Sequence, residues 1–142
     1  MANQFLIHPQ SGTICFGHVP EINSRGFILK SGEIRLQSGK HLGVNRGWGA
    51  RHIWAEHQSE MADQGLHAYL DVPAYVAMII QTGTPLLYDF GRMGRNTRLL
   101  AVKSNVGMSV LEFKDRADDP IWSVVTAYAK TRADGTRVGA VR

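Results

Sequence analysis

The last third of the chain contains four β-prone segments joined by short links, and this pattern constrains the fold more than any other feature of the sequence. The segments cover residues 86–90, 97–104, 108–114 and 121–131. The links are typical of turns, because residues 91–96 contain two glycines, residues 105–107 end on a glycine and residues 118–120 end on a proline. Since links this short join neighbouring strands, the sequence predicts a four-stranded antiparallel sheet.

Two helices are predicted ahead of this sheet. A glycine-rich stretch at residues 43–49 leads into the first helix, over residues 50–64, which Gly65 ends. The second helix begins at Asp71, a residue typical of helix N-caps, and has Pro73 in its first turn. It runs to about Thr82, and Pro85 prevents its continuation.

The N-terminal segment, residues 1–42, is β-rich. Residues 26–30 and 33–37 flank Ser31 and Gly32, which is a signal for a β-hairpin. The complete prediction is therefore one α+β domain over residues 1–142, in which an N-terminal β-hairpin and helices pack on a four-stranded antiparallel sheet.

The composition excludes several classes of protein. Hydrophobic residues make up 44% and charged residues 20% of the chain, a balance typical of globular domains rather than disordered ones. No run of about 18 apolar residues is present, so no transmembrane helix is predicted. No signal peptide is visible, and an export signal, if one exists, is expected on a larger parent chain. Cys15 is the one cysteine, and without a partner motif it predicts neither a disulfide nor a metal site.

The net charge of +4 is unevenly distributed. Residues 91–142 contain ten Lys or Arg against five Asp or Glu, whereas residues 61–90 contain no Lys or Arg. The positive field is therefore expected to be strongest near the sheet, where it would attract phosphates. The alternative is that the charge serves only solubility.

His52 and His57 are the first candidates for chemistry. Their spacing of five places them about 140° apart on a regular helix, and it does not match the metalloprotease pattern of two histidines four apart. No metal is therefore predicted there. His52 follows two glycines in the first helical turn, its imidazole suits proton transfer near neutral pH, and Glu56 lies one turn further on to orient it. The alternative is that both histidines are structural.

The second group of candidates lies on the predicted sheet. Lys103 ends one strand, and Thr126 and Tyr128 share a face of another, where both can donate hydrogen bonds to a phosphate. The alternative is that this Thr and Tyr merely pack. Four arginines are predicted to contact a nucleic-acid backbone, or else to be solvated: Arg51, Arg92, Arg95 and Arg98.

The pattern as a whole resembles a known family. Residues 47–53 read Gly-Trp-Gly-Ala-Arg-His-Ile and precede a second histidine. Residues 99–104 read Leu-Leu-Ala-Val-Lys-Ser, residues 109–114 Ser-Val-Leu-Glu-Phe-Lys, and residues 122–128 Trp-Ser-Val-Val-Thr-Ala-Tyr. Together these motifs resemble the barnase–EndoU–colicin–RelE superfamily of ribonucleases, in particular the branches found in phage proteins and in the C-terminal toxin domains of contact-dependent inhibition systems.

The resemblance covers about residues 43–130 and implies a nuclease-like core over residues 43–131. Such enzymes cleave RNA without a metal or cofactor, because the 2′-hydroxyl attacks the adjacent phosphate and leaves a 2′,3′-cyclic phosphate. The resemblance implies His52 as general acid or base, Lys103 as a cation for the phosphorane, Thr126 as a donor to phosphate, and Tyr128 as a stacking group or donor. His57 matches the second histidine of the family. Residues 1–42 lie outside the resemblance, although His18 and His41 are further candidates there.

The resemblance also implies partners and a location. The substrate is expected to be RNA, with tRNA as the first choice, and an acidic immunity or antitoxin protein is expected to inhibit the toxin. It would act in the bacterial cytoplasm, delivered as part of a larger secreted or phage protein. Two alternatives stay open: a non-catalytic RNA- or DNA-binding module with a basic stripe and no clustered histidines, and a phage structural or assembly domain with an exposed apolar patch.

Overall fold

The computed structural model describes residues 3–90, 97–130 and 135–142, and it shows an α+β protein that is mostly sheet. Its helices and strands follow one another along the chain in this order: β1 (His18–Val19), β2 (Ile22–Ser24), β3 (Phe27–Leu29), β4 (Gly32–Arg35), β5 (Lys40–Gly43), β6 (Arg46–Trp48), α1 (Gly49–Asp63), α2 (Val72–Ile79), β7 (Pro85–Tyr88), β8 (Leu99–Lys103), β9 (Met108–Lys114), β10 (Ile121–Tyr128) and β11 (Thr136–Ala140). A short 3₁₀ turn, Tyr69–Asp71, precedes α2.

Within the described residues the main sheet has seven strands, in the order β1-β4-β10-β9-β8-β7-β11. The four predicted strands are its centre, β7 to β10, and pair as antiparallel neighbours. The prediction of a four-stranded sheet was nevertheless wrong, because β4 adds to β10 in parallel, with Trp122 opposite Ile34, and β1 and β11 extend the two edges. Parallel pairing between strands so far apart in sequence has no turn between them, so no local signal announces it.

The two edges of the main sheet meet, which makes the sheet nearly barrel-like. Arg142, just after β11, exchanges two backbone hydrogen bonds with His18 of β1, at N···O distances of 2.7 and 2.8 Å. Since these bonds pair backbone groups that an open edge would expose, they protect the sheet against edge-to-edge association.

The predicted hairpin at residues 26–37 was wrong. Strand β3 pairs instead with β2, through a two-residue turn at Arg25 and Gly26 whose φ angles are 49° and 81°. Two positive φ angles define the type I′ turn that matches the twist of paired strands. Gly32 has another role, because a Cβ there would lie 3.1 Å from the Trp122 side chain. It is a packing glycine at the start of β4 and not a turn residue.

The helices lie close to their predicted positions. Helix α1 differs by one residue at each end from the prediction, and α2 ends three residues before Thr82. Asp71 precedes α2 as predicted, but its carboxylate accepts hydrogen bonds from the backbone N–H groups of His67 and Ala68, and so it caps the 3₁₀ turn. No helix of the described ranges has the length and apolar character needed to cross a membrane.

The hydrophobic core lies between the helices and one face of the main sheet. Both helices contribute fully buried side chains to it, among them Ile53, Met61, Tyr75, Val76 and Ile79, and the sheet contributes Ile34, Leu100, Leu111, Trp122 and Val124. Because side chains alternate along a strand, the residues between these point to the opposite face. That face carries a small second cluster of Leu87, Ala101 and Met108, with Tyr128 packed against it.

Tyr75 provides the first prediction, because it is fully buried and its hydroxyl has no hydrogen-bond partner among the described residues. Burial raises its pKa to about 12. The folded state therefore favours the neutral phenol. The resulting contribution to the free energy of unfolding is fully present below the unfolded pKa near 10 and is lost as pH rises toward 12. Tyr75→Phe is expected to raise the free energy of unfolding by about 1 kcal/mol at neutral pH, since an unpaired buried hydroxyl is removed.

Urea unfolding at pH 7 and between about pH 10 and 12 measures both effects. The variant is expected to lose less stability than the wild type over the alkaline range, whereas Tyr69→Phe, at a half-buried position, serves as the control. A lower stability of Tyr75→Phe at pH 7 would show that the hydroxyl has a partner and would contradict the assignment.

Candidate active site

The hairpin formed by β5 and β6 positions a histidine beside the first turn of α1. Gly47, in β6, has a φ of 136°, and a Cβ there would lie 2.4 Å from the Lys40 carbonyl oxygen and 2.9 Å from Nδ1 of His52. Only glycine lets the hairpin backbone approach the His52 ring this closely. The glycine-rich stretch of the sequence is thus half of a hairpin packed on the helix.

The centre of the site is the contact between His41 of β5 and His52 of α1. Their Nδ1 atoms are 3.1 Å apart and their rings stack with centroids 5.3 Å apart. His41 is exposed, whereas His52 is buried, with 6% of its surface accessible. In the neutral pair one Nδ1 donates and the other accepts, so the two rings have opposite tautomers. One Nε2 then bears a lone pair and the other a hydrogen, so the neutral pair offers one hydrogen-bond acceptor and one hydrogen-bond donor.

Glu56 stands one helical turn after His52 and completes this group. Its Oε1 accepts a 2.6 Å hydrogen bond from the backbone N–H of Asn45, at the tip of the hairpin. Burial is the main cause that lowers the pKa of the His52 imidazole. The Glu56 carboxylate opposes this shift, whereas His41 and His57 add to it. The net effect of burial and these three neighbours favours the neutral form of His52.

His57 belongs to a second group, at the end of β10. Its Nδ1 lies 2.9 Å from Oε1 of Glu60, and its ring stacks on Tyr128 with centroids 5.6 Å apart. The second oxygen of Glu60 accepts a hydrogen bond from the backbone N–H of Ala129, which fixes the carboxylate. Helix α1 is irregular at His57, where φ is −129° and ψ is 28°. The angle of about 140° expected between the two histidines applies to a regular helix and does not describe this one.

The predicted sheet residues share one face but are not all in contact. Tyr128 pairs with Met108, which pairs with Lys103, so the three lie in one row across β10, β9 and β8. Lys103 is thus two strands, or about 10 Å, from Tyr128. Its ammonium donates to the Ser104 carbonyl and lines a shallow cleft with Pro85.

Thr126 lies one step along β10 from this row, opposite Val110. Its hydroxyl oxygen is buried and has no hydrogen-bond partner among the described residues. An unpaired buried hydroxyl costs stability, about 1 to 3 kcal/mol. Packing alone therefore does not account for a threonine at position 126.

The predicted arginines are dispersed. Arg51 donates a 2.8 Å hydrogen bond from Nη1 to the Gly39 carbonyl, which ties α1 to the residue before β5. Arg98 is exposed and precedes β8, at the opposite end of that strand from Lys103. Arg92 and Arg95 lie outside the described residues. The structure thus places Arg51 beside the histidine pair and Arg98 away from it.

Glu60 was missed by the sequence analysis. Its signal was present, because Glu60 follows His57 by three residues and such pairs are neighbours on a helix surface. His41 was named only as a further candidate, since nothing in the sequence links a hairpin residue to a helix eleven positions later.

Two groups of donor atoms among the described residues have the proximity that a metal ion requires. One consists of His41, His52 and Glu56, the other of Cys15, His18 and Glu33, and within each group the donor atoms lie within 4.8 Å of one another. The first group coincides with the histidine pair, so the same nitrogens can take either protons or a cation. The second lies elsewhere, at the β1 edge of the main sheet.

No protein-family model matches the chain, and comparisons with curated proteins and with solved structures found no match.

Proposed function

We propose that this protein is a metal-independent endoribonuclease that cleaves by attack of the 2′-hydroxyl. The observation that carries the proposal is the 3.1 Å contact between His41 and His52, with His57 further along the same helix. Cleavage of this kind needs one group to take a proton and another to give one, and histidine does both near neutral pH. A binding module has no use for clustered histidines, so their grouping favours the enzyme over that alternative.

Two proton carriers are assigned. His57 is the general base, because Glu60 accepts a hydrogen bond from its Nδ1 and leaves Nε2 to take the proton of the 2′-hydroxyl. A carboxylate orients the catalytic histidine of a Ser-His-Asp triad in the same way. His41 is the general acid in its protonated form, since it is exposed and its Nδ1–H can then donate to Nδ1 of the neutral His52. The 2′-oxygen forms a bond to phosphorus, the bond from phosphorus to the 5′-oxygen breaks, and the proton from His41 goes to that leaving oxygen. The products are a 2′,3′-cyclic phosphate and a 5′-hydroxyl.

The sheet face supplies groups for the phosphate. Tyr128 stacks on His57, so a phosphate near that base is also near the phenol. Lys103 lies in the same row, two strands from Tyr128, and its ammonium would bring positive charge to the phosphorane after it leaves the Ser104 carbonyl. Arg51, next to His52 in α1, adds positive charge at the other end of the site. Following the family resemblance, we further propose a bacterial toxin with tRNA as substrate and an acidic immunity protein as inhibitor.

The test is incubation of the purified protein with total bacterial RNA in EDTA, beside His52→Ala. Cleavage by the wild type alone, leaving cyclic-phosphate ends, is the expected result. If neither protein cleaves but both bind RNA in a salt-sensitive manner, the binding-module alternative is correct. If EDTA abolishes cleavage and zinc restores it, the group of His41, His52 and Glu56 works through a metal, and the proposed mechanism is wrong.

Thr126→Val separates a phosphate donor from a packing residue. Valine has nearly the same shape and removes the unpaired hydroxyl, so the free energy of unfolding is expected to rise by about 1 kcal/mol. If substrate binding opens access to this hydroxyl, cleavage is expected to fall about tenfold or more, because one donor to the phosphorane is lost. Urea unfolding and initial cleavage rates measure the two effects.

Ser109→Ala is the control for Thr126→Val, since the Ser109 hydroxyl donates to the Thr126 carbonyl from the core face of β9. Its stability is expected to fall and its cleavage rate to stay unchanged. Full activity of Thr126→Val would show that Thr126 only packs.

A further inference from the structure

Cys15, His18 and Glu33 form a compact group at the β1 edge of the main sheet. His18 lies directly opposite Glu33 in the β1–β4 pair, and Cys15 precedes His18 by three residues. In a regular strand such a spacing would place Cys15 and His18 on opposite faces. Gly17 between them has a φ of 139°, which breaks the alternation. The sulfur, a ring nitrogen and a carboxylate oxygen consequently lie within 4.8 Å of one another.

We propose that these three side chains bind a zinc ion. Thiolate, imidazole and carboxylate are the donors that zinc takes in proteins, at about 2.0 to 2.3 Å. Tetrahedral bonds of that length separate donor atoms by roughly 3 to 4 Å, so small side-chain rotations close the present spacing around an ion. The mixture of soft and hard donors favours zinc over magnesium or calcium, which prefer oxygen alone.

The charges around the group suit a divalent cation, although Arg35 is close. Its Nε lies 3.1 Å from Oε1 of Glu33, while its two terminal nitrogens form a bidentate pair with Asp119 at 2.6 and 3.0 Å. Asp119 therefore offsets the guanidinium charge. The Cys15 thiolate and Glu33 then balance the two charges of zinc, and the whole group is neutral. Arg35 also fixes one oxygen of Glu33, as residues around metal sites commonly do.

Access to the ion is provided by an open cleft of about 520 Å³, whose lining includes Cys15 and His18. Three protein donors beside an open cleft leave a fourth position for water or for a small ligand. His8 lines the same cleft but is not suited to fill that position. Its Nδ1 accepts the backbone N–H groups of Gln10 and Ser11, so in the neutral ring the proton sits on Nε2.

The zinc site is independent of the proposed ribonuclease activity. Its residues come from β1, β4 and the segment before them, whereas the histidine pair lies on β5 and α1. Bound zinc would tie the N-terminal segment to the sheet edge, at the point where β1 meets Arg142. Zinc is therefore expected to raise the melting temperature, because it binds the folded chain and not the unfolded one.

The test is metal binding by the full chain, stripped of metal with EDTA and kept reduced. Zinc is titrated against a chromophoric indicator, and cobalt(II) is used as a spectroscopic probe that shows a thiolate charge-transfer band. The expected results are one zinc per chain at this site, a cobalt–thiolate band, and at least a tenfold loss of affinity in Cys15→Ser and in His18→Ala. His8→Ala is the matched control and is expected to bind as the wild type does.

His41→Ala distinguishes this site from the other group of donors. Retention of the cobalt–thiolate band in His41→Ala supports the proposal. Binding that His41→Ala abolishes and Cys15→Ser leaves intact would overturn it, as would a cobalt spectrum without the thiolate band. Because neither readout involves RNA, loss of the ribonuclease proposal would leave these results unchanged.

Discussion

Replacing His41 by alanine is expected to slow RNA cleavage by about 100- to 10,000-fold, which is the usual contribution of a general acid or base. The variant is expected to remain folded, because His41 is exposed and makes no contribution to the hydrophobic core. Single-turnover cleavage of a defined RNA measures the rate, and urea unfolding checks the stability. His41→Ala is a sharper test than His52→Ala, since His52 is buried and its loss also leaves a cavity.

Two further variants show whether His41 transfers a proton or only positions His52. His67→Ala removes another exposed histidine, one that lies just before the 3₁₀ turn, and is expected to cleave at the wild-type rate. His41→Asn keeps a polar atom that can bond Nδ1 of His52 but cannot carry a proton. If His41 only positions His52, asparagine restores activity; if His41 transfers a proton, it does not. A fully active His41→Ala would remove His41 from the mechanism.

The strands of the last third could be predicted because their signals are local. Alternating apolar residues and nearby turns specify β7 to β10, and β9 has the bounds that the sequence indicated. The partners of these strands could not be predicted in the same way. Strand β4 joins β10 with Trp122 opposite Ile34, a pairing that depends on burial of both side chains in the shared core. Its glycine, Gly32, gave a misleading turn signal because it serves that packing.

The site was predictable in its residue types and only partly in its geometry. His57 and Tyr128 were both identified, and the structure stacks their rings. The two histidines do lie in separate groups, as a regular helix predicts, although α1 is irregular at His57. The partner of His52 is His41, which the β5–β6 hairpin brings into contact with it. Helical periodicity alone does not predict a contact between a helix residue and a hairpin residue. Lys103 shares the predicted face without touching Tyr128, since β9 lies between them.

The largest effect on stability is expected for Gly39→Ala, at the residue before β5. Gly39 has a φ of 69°, and a Cβ there would lie 1.9 Å from the Trp48 carbonyl oxygen and 2.9 Å from the Cα of Gly49. A contact that short requires the backbone between β6 and α1 to move, so we expect a loss of about 3 to 5 kcal/mol in the free energy of unfolding. The hairpin then no longer holds His41 against His52, and RNA cleavage is expected to disappear together with the stability.

Gly12→Ala separates the close contact from the backbone conformation. Gly12 has a nearly identical φ of 72°, but no atom of the described residues lies within 4 Å of a Cβ at that position. Its replacement therefore adds only the strain of a left-handed residue, roughly 1 to 2 kcal/mol, and is expected to leave RNA cleavage unchanged. Equal losses of stability in the two variants would mean that Gly39 is required for its φ alone. The hairpin would then have room to shift, and the contact between His41 and His52 would not depend on the tight packing of Gly39 against Trp48 and Gly49.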